Sequence, residues 1–418
     1  MFFCERIKGK ASLKAHQSLN KGYTFSVYEN SEAVVQDDWN QVVKNKNLFL
    51  KLEYLRILEE INPETFKPIY VIVYQNKIPS GIVYFQVIDF EAKTFGALLE
   101  DQIHSLQVKQ TQLFEKYIDE NEKEVLMRLL TCGNNIVSGE HAFLFKEAIT
   151  KEKSFELVER VIDKIGSKEK LRGKISAILA KDFYTPVAVN SQKCFLSSEK
   201  FVQFNVEPNM ILDFPENVSS LNEFISHFSK KYRNRIKQVM KLGEALEIRE
   251  LSLDEITKQN NEIFDLYEQV FEKAKFKIIK LHKNYFVDCK NEFADQFYIS
   301  AYYLNKKLVA FSSGFFTPDN FLEAHYIGFD YEINKEFKLY QNILNNYIEV
   351  AIAKGKAHIN LGRTASEIKS TVGAKARELT CYIRPQNTIS KVVLKPFIQF
   401  LQPAEWIPRN PFKEEETV

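Results

Sequence analysis

Two distant stretches of this chain share one design: an alternating strand, a short polar turn and a returning strand, each preceded by a helix-like apolar pattern. In the later copy Tyr298, Ser300 and Tyr302 alternate with Ile299, Ala301 and Tyr303 up to Asn305, Lys306 and Lys307, and Leu308 to Phe316 runs back. The earlier copy runs from Tyr70 to Tyr74, turns at Asn76 and Lys77, and returns through Gly81, Ile82, Val83, Tyr84 and Phe85. Alternation with a period of two, closed by a polar turn, is the signature of an antiparallel hairpin. A duplicated hairpin points to two related units, and 418 residues at 45% hydrophobic content suffice for two cores.

The formal charge of +2 gives no global attraction to nucleic acid or an anionic membrane, so an anion site must be local. Cys4, Cys132, Cys194, Cys289 and Cys381 are scattered and odd in number, without paired metal-type spacing, which reads as the reduced thiols of a cytoplasmic protein. The seven histidines are too dispersed for a metal site. Charged Glu5, Arg6 and Lys8 follow Cys4 at once, leaving no room for a signal peptide, and no apolar run reaches the ~20 residues of a membrane span. The expectation is a soluble, cytoplasmic protein.

In order, the first half offers a strand at Thr24 to Tyr28, a helix around Trp39, Val42 and Val43, and a second helix on Leu52, Leu55, Leu58 and Ile61, stopped by Asn62-Pro63. After the hairpin, Asp101 to Glu124 reads as an inserted helix or two, and Val125 to Cys132 as a buried strand. Beyond a loop from Gly133 to Gly139, Phe143, Phe155, Val158, Val161, Ile162 and Ile165 suggest helix, and Lys174 to Leu179 a closing strand. Phe201 to Phe214 is extended, with a domain boundary expected near Pro208. Ser220 with Glu223 predicts a capping box opening a helix from Leu221 through Phe228 and Ile236 to Met240, with Gly243 as its stop. Ser252 with Glu255 predicts a second box and a helix facing inward with Ile263, Phe264, Tyr267, Val270 and Phe271. Strands at Phe321 to Phe329, His358 to Leu361 and Glu378 to Arg384 complete the half, around a helix from Phe337 that ends at Gly355.

Helix, helix, hairpin, strand, helix and strand is the order of the GNAT type of N-acyltransferase, and here it occurs twice. The expected class is α+β, with two GNAT-like domains at residues 1–207 and 208–388, each a mixed and mostly antiparallel sheet flanked by helices, and a tail at 389–418 packed on the body. In detail the second half resembles the tandem-GNAT, FemAB-like acyltransferases, among them the peptidoglycan-type aminoacyltransferases. The likeness rests on the basic helix from Lys230 to Gln238 ahead of a glycine, the hairpin with Gly314, the helix from Phe337 and the run from Leu361 to Ser370, and it extends from Thr24 to Pro385. It implies a cleft in which an acyl or aminoacyl group passes from coenzyme A or transfer RNA to an amine or hydroxyl, on a small molecule or a cell-envelope precursor.

One departure bears on the donor. GNAT enzymes that use acyl-CoA hold its pyrophosphate on a glycine-rich loop at a helix N-terminus, and the corresponding segment here, Asp330 to Lys338, contains no glycine. The equivalent loop of the first half does, which makes Gly133, Asn134 and Gly139 candidate anion-binding positions, against a plain glycine turn capped by Ser138.

Acyl transfer requires a base for the nucleophile's proton and a donor for the developing oxyanion. Glu323 and His325 project from one face of their strand and read as a base with its orienting partner, or as a polar surface. Arg363, Glu367 and Lys369 follow the strand end at Leu361, where Arg363 suits a phosphate or carboxylate, although Thr364, Glu367 and Gly373 also fit a capped short helix. Lys230, Arg233, Arg235 and Lys237 are candidates for gripping carrier phosphates, or simply a solvated helix face. Asp182, with Phe183 and Tyr184, is a further loop candidate. The expected function is transfer from acyl-CoA, as co-substrate with no tightly bound cofactor, to an amine or hydroxyl. The alternatives are an aminoacyl-tRNA donor, less favoured for want of a dedicated tRNA arm, and a non-catalytic ligand-binding protein with a degenerate site.

Overall fold

A computed structural model describes residues 17–20, 22–62, 64–91, 126–168, 175–184, 200–274, 279–386 and 388–413. The first half comprises β1 (Gln17–Asn20), β2 (Tyr23–Tyr28), α1 (Gln36–Val43), α2 (Leu52–Glu59), β3 (Phe66–Gln75), β4 (Ile78–Glu91), β5 (Leu126–Cys132), β6 (Phe143–Phe145), α3 (Lys151–Gly166) and β7 (Ala177–Tyr184). The second comprises β8 (Val202–Asp213), α4 (Leu221–Ser226), α5 (Lys230–Leu242), β9 (Glu247–Glu250), α6 (Leu253–Lys258), α7 (Asn260–Lys273), α8 (Tyr285–Phe293), β10 (Phe297–Leu304), β11 (Lys307–Phe316), β12 (Phe321–Phe329), α9 (Tyr331–Phe337), α10 (Leu339–Ala353), β13 (His358–Asn360), α11 (Ser366–Ser370), β14 (Lys375–Pro385) and α12 (Thr388–Leu401).

Both hairpins form, β3 with β4 and β10 with β11. Each closes on two residues of positive φ, Asn76 and Lys77 at 49° and 68°, Asn305 and Lys306 at 50° and 65°. That is the turn whose twist matches its flanking strands. One sheet runs through the molecule in the order β1-β2-β3-β4-β5-β7-β14-β8-β13-β12-β11-β10-β9, with β6 beside β4. Its two halves repeat: β2-β3-β4-β5-β7-β14 mirrors β9-β10-β11-β12-β13-β8, and each contains a parallel pair at the same place, β5 with β7 and β12 with β13.

The halves exchange their last strands. β8 follows the first half in sequence but pairs with β13, whereas β14 ends the second half and lies between β7 and β8. Pro208, the expected boundary, therefore falls inside β8, and the chain crosses from one half to the other within a strand. Aromatic residues of both halves share a core in which Trp39, Tyr54, Tyr70 and Phe49 join Tyr285, Phe297, Phe311 and Phe315. The tail packs on the body through Phe397 against Phe204 and Phe412 against Phe228.

Several local expectations are corrected. Phe143 lies in a short strand, because β6 pairs with Gly81 to Val83 of β4 before α3 begins. The helix expected from Leu221 to Met240 breaks at His227 to Ser229, where Phe228 bridges to Phe412 and the Ser229 N–H goes to the Pro411 carbonyl at 2.8 Å. Ser220 caps α4 as expected, but Glu223 bonds back to Ser219, so the reciprocal box is absent. The box at Ser252 and Glu255 is complete, although the helix it opens ends at Lys258 and α7 carries the inward face. The inserted segment from Asp101 to Glu124 lies outside the described residues.

Candidate functional site

The parallel pairing of β12 with β13 lasts three residues, Phe321 with His358, Leu322 with Ile359 and Glu323 with Asn360. Beyond that point β13 has ended while β12 continues to Phe329, and a cleft of about 550 Å³ opens between the strand and the chain leaving β13. That volume is typical of a small-molecule site. Residues 135–138 and Phe49 of the first half form one wall; Glu323, His325, Asn360, Arg363 and Lys369 face it from the second half. Tyr347, Ile343 and Leu344 of α10 make the floor apolar.

The backbone of β12 is fixed by a bulge. The register of β11 against β12 shifts between Ser312 and Gly314, and the Ser313 hydroxyl fills the gap, donating to the Tyr326 carbonyl at 2.8 Å and accepting its N–H at 3.1 Å. Gly314 is required by close approach, since a Cβ there would sit 2.7 Å from the Tyr298 ring and 3.1 Å from the Glu323 carbonyl oxygen. The hairpin glycine of the sequence thus lets β12 lie close enough to present Glu323 to the cleft.

Glu323 is half-buried in this apolar setting, and burial, reinforced by Asp319, pushes its carboxyl up to about 8 against the opposing hydrogen bond from Asn360. The amide of Asn360 is itself oriented, because its Oδ1 accepts the Gly362 N–H at 2.9 Å. His325 shares the cleft but is not bonded to Glu323: its Nε2 meets the Tyr285 hydroxyl at 2.7 Å. Burial among Phe49, Tyr285, Phe315 and Tyr326 pushes its imidazole down to about 3, so it is neutral at physiological pH. The expected pair of His325 as base and Glu323 as orienter is corrected on this ground. The carboxylate has the proton affinity of a base near neutral pH, and the imidazole does not.

Arg363 and Lys369 reach the cleft tethered to other groups of the protein. Arg363 pairs at 3.3 Å with Asp182, a fully buried residue at φ 64° in a bulge of β7, which also binds Lys181 and, at 3.3 Å, the Gly139 N–H. The two cations keep the Asp182 carboxylate ionised despite burial. Lys369 donates to the Arg363 carbonyl at 2.6 Å and the Gly362 carbonyl at 3.2 Å, and burial pushes its amine down to about 7. Both therefore anchor the segment from Gly362 to Ala365, whose Gly362, Thr364 and Ala365 have positive φ. Glu367 lies outside the cleft, exposed and bonded to Arg409. The cap expected from Thr364 is not made, because left-handed Ala365 takes the N-cap position of α11.

The first-half loop is a folded wall. Four of its amides are spent internally: Gly133 N–H on the Tyr84 carbonyl, Asn135 on Gln86, Ile136 on the Asn134 side chain and Gly139 on Asp182. Lys181 ties its far side through the Asn134 and Val137 carbonyls at 2.8 and 3.2 Å. The Gly133 and Gly139 amides, two of the candidate anion-binding positions, are therefore already bonded within the protein. In the second half the corresponding place is filled by α9. Lys230, Arg235 and Lys237 are exposed on α5 and Arg233 is half-buried, and none of the four lines the cleft. Sequence reasoning passed over Asn360, Tyr285, Tyr54 and Phe49; period-two alternation places Asn360 beside Glu323 only once the parallel register is known. Among the described residues no cluster of three or more His, Cys, Asp or Glu is arranged to hold a metal, and no helix is long and apolar enough to cross a membrane.

No protein-family model and no curated protein matches the chain. Among solved structures it is similar to FemX, at 10% identity over 88% of this chain and 99% of that one, with a TM-score of 0.51. A tandem GNAT protein from the clavulanic acid biosynthesis pathway aligns over 87% of this chain and 98% of its own, at 6% identity and a TM-score of 0.47. The C-terminal domain of a putative lysylphosphatidylglycerol synthetase from Agrobacterium fabrum aligns over 74% of this chain and 96% of its own, at 9% identity and a TM-score of 0.43. With its mirrored half-sheets, exchanged strands and near-complete coverage of FemX, the chain has the tandem-GNAT, FemAB-like fold.

Proposed function

We propose that the protein is an acyltransferase working in the second-half cleft, with Glu323 as the general base. The observation that carries this reading is the carboxyl itself: held by Asn360 where β12 and β13 part, in an apolar cleft that pushes it up to about 8. A group with that affinity takes a proton from an incoming amine and can return it. In the proposed reaction the amine nitrogen bonds to the carbonyl carbon of a thioester or ester, the carbonyl electron pair moves onto oxygen, and the amine proton passes to Glu323. The pair then returns, the bond to the carrier breaks with its electrons on sulfur or oxygen, and Glu323 supplies the proton to that atom. Phe49 and residues 135–138 shield the step from water, while Lys369 and the Arg363–Asp182 pair hold the far wall.

Acyl-CoA is the donor we favour, with an amine or hydroxyl acceptor on a small molecule or cell-envelope precursor. A charged transfer RNA is the second reading. It is favoured by α5, where Lys230, Lys231, Arg233, Arg235, Lys237 and Lys241 occur without a single acidic residue, and among the described residues none is in an ion pair. Purified protein incubated with acetyl-CoA, longer acyl-CoAs or charged tRNA and an amine pool, then followed by melting temperature and mass spectrometry, separates the two. A ligand of the folded state raises the melting temperature, and acylated amine identifies the donor. Stabilisation without product from any donor would leave a binding protein. Dependence on tRNA with affinity falling steeply in salt would select the second reading.

A further inference from the structure

We propose that His325 serves in this cleft as a hydrogen-bond donor, its Nδ1–H directed at the oxygen that gains charge during acyl transfer, and that Tyr285 and Tyr54 hold it in that tautomer. The inference rests on the acyl-transfer reading above and assigns a role that the base left open, stabilisation of the oxyanion.

Three hydroxyl and ring groups form a chain across the two halves of the protein. Tyr54 of α2 meets Tyr285 of α8 at 3.0 Å between hydroxyl oxygens, and Tyr285 meets His325 Nε2 at 2.7 Å. Both tyrosines are fully buried. Tyr54 has no other hydrogen-bond partner among the described residues, so its proton can go only to Tyr285. Tyr285 in turn donates to Nε2; the competing acceptor, the Cys289 thiol beside it, is weak compared with an imidazole nitrogen. In the opposite direction, with Nε2–H donating to Tyr285 and Tyr285 to Tyr54, the Tyr54 O–H would be buried without an acceptor, at a cost of about 1–3 kcal/mol. An imidazole that accepts at Nε2 and is neutral carries its proton on Nδ1.

That Nδ1 has no partner among the described residues and is not buried, and His325 lines the cleft, so the N–H opens onto it. The ring cannot easily turn away. Phe49 and Tyr285 stack on it at 6.3 and 5.7 Å between centroids, and Phe315 and Tyr326 meet it edgewise at 5.1 and 4.6 Å. None of these four brings a charge, and burial alone keeps the ring neutral. The neighbouring backbone donor of β12, the Tyr326 N–H, is spent on the Ser313 hydroxyl. The Nδ1 proton stays on nitrogen throughout: it bonds to the oxyanion while the amine proton goes to Glu323. His325 is thus a catalytic residue of the proposed reaction, and Tyr285 and Tyr54 are positioning residues.

The test combines a spectrum with a set of variants. In histidine-labelled protein, long-range 1H–15N correlation should show His325 with Nε2 unprotonated and Nδ1 protonated, unchanged from about pH 8 to about pH 5. Y285F should shift that signal toward the other tautomer, and Y54F, the milder change, should shift it partly if Y285F does not fold. With the donor found above, H325A should lower kcat about 10²–10³-fold at nearly constant KM. H325N, whose side-chain N–H replaces Nδ1–H, should recover at least about tenfold of that loss with an unaltered pH profile, which an asparagine standing in for a base could not do. An Nε2–H tautomer in the wild type, or H325N as slow as H325A, would overturn the proposal. Failure of every donor would remove the acyl-transfer reading instead, and the spectrum would still decide where the proton sits.

Discussion

Replacing Glu323 by Gln should make the protein more stable at high pH and nearly inactive. The folded state keeps the Glu323 proton up to about pH 8, whereas an exposed glutamate releases it near its ordinary value of 4.5. Through that window the native state binds more protons than the unfolded chain, so this residue's contribution to stability falls as pH rises and reaches its full penalty above about 8. The whole shift corresponds to about 4–5 kcal/mol at 1.36 kcal/mol per unit, and water entering the half-open cleft reduces this to about 1–3 kcal/mol. Glutamine is neutral, has the same shape and still accepts the Asn360 hydrogen bond. E323Q should therefore melt with the wild type near about pH 5 and several degrees above it near about pH 9, while kcat falls about 10²–10⁴-fold. The wild-type rate should climb with pH to a plateau above about 8, and that limb should vanish in the variant. A melting difference independent of pH, or an E323Q enzyme with the parent's rate and pH profile, would refute the reasoning.

Other substitutions probe the frame around the cleft. D182A leaves Lys181 and Arg363 facing each other without their shared carboxylate, and should cost about 3–5 kcal/mol in unfolding experiments; a loss under about 1 kcal/mol would mean the cluster is not buried as described. G314A drives a methyl group into Tyr298 and the backbone of β12, and should lower stability by about 1–3 kcal/mol and reduce turnover by displacing Glu323. Full activity in that variant would contradict the bulge as the device that aims the strand. E367A breaks only an exposed pair with Arg409, so stability should change by less than about 1 kcal/mol and kcat/KM by less than about twofold; a large loss of activity would return Glu367 to the site.

The duplicated hairpins, the strand from Phe321 to Phe329 and the helix ending at Gly355 were legible because alternation, helical spacing and turn chemistry are local signals. The exchange of β8 and β14 was not, since pairing partners far apart in sequence leave no mark on either strand. Glu323 and His325 could be placed on one face from their spacing, yet their roles depend on neighbours from three other elements: Asn360 on β13, Tyr285 on α8 and Phe49 ahead of α2. Arg363 read as a free cation because its partner Asp182 lies 181 residues away in the first half. The glycines at 133 and 139 resembled a phosphate loop, and only the structure shows Gln86 and Asp182 accepting the Asn135 and Gly139 N–H groups that a phosphate would need. The break in the basic helix at Phe228 follows from a tail residue, Phe412, beyond any local pattern.

The central claim is that carboxyl chemistry at Glu323 moves an acyl group. Its most direct test is mass spectrometry of an amine pool incubated with acyl donors and either wild-type protein or E323Q. The account predicts an acylated amine with the wild type and at most about one hundredth of that rate with E323Q, which should still bind the donor. Equal product from both proteins, or donor binding without product from the wild type, would contradict it.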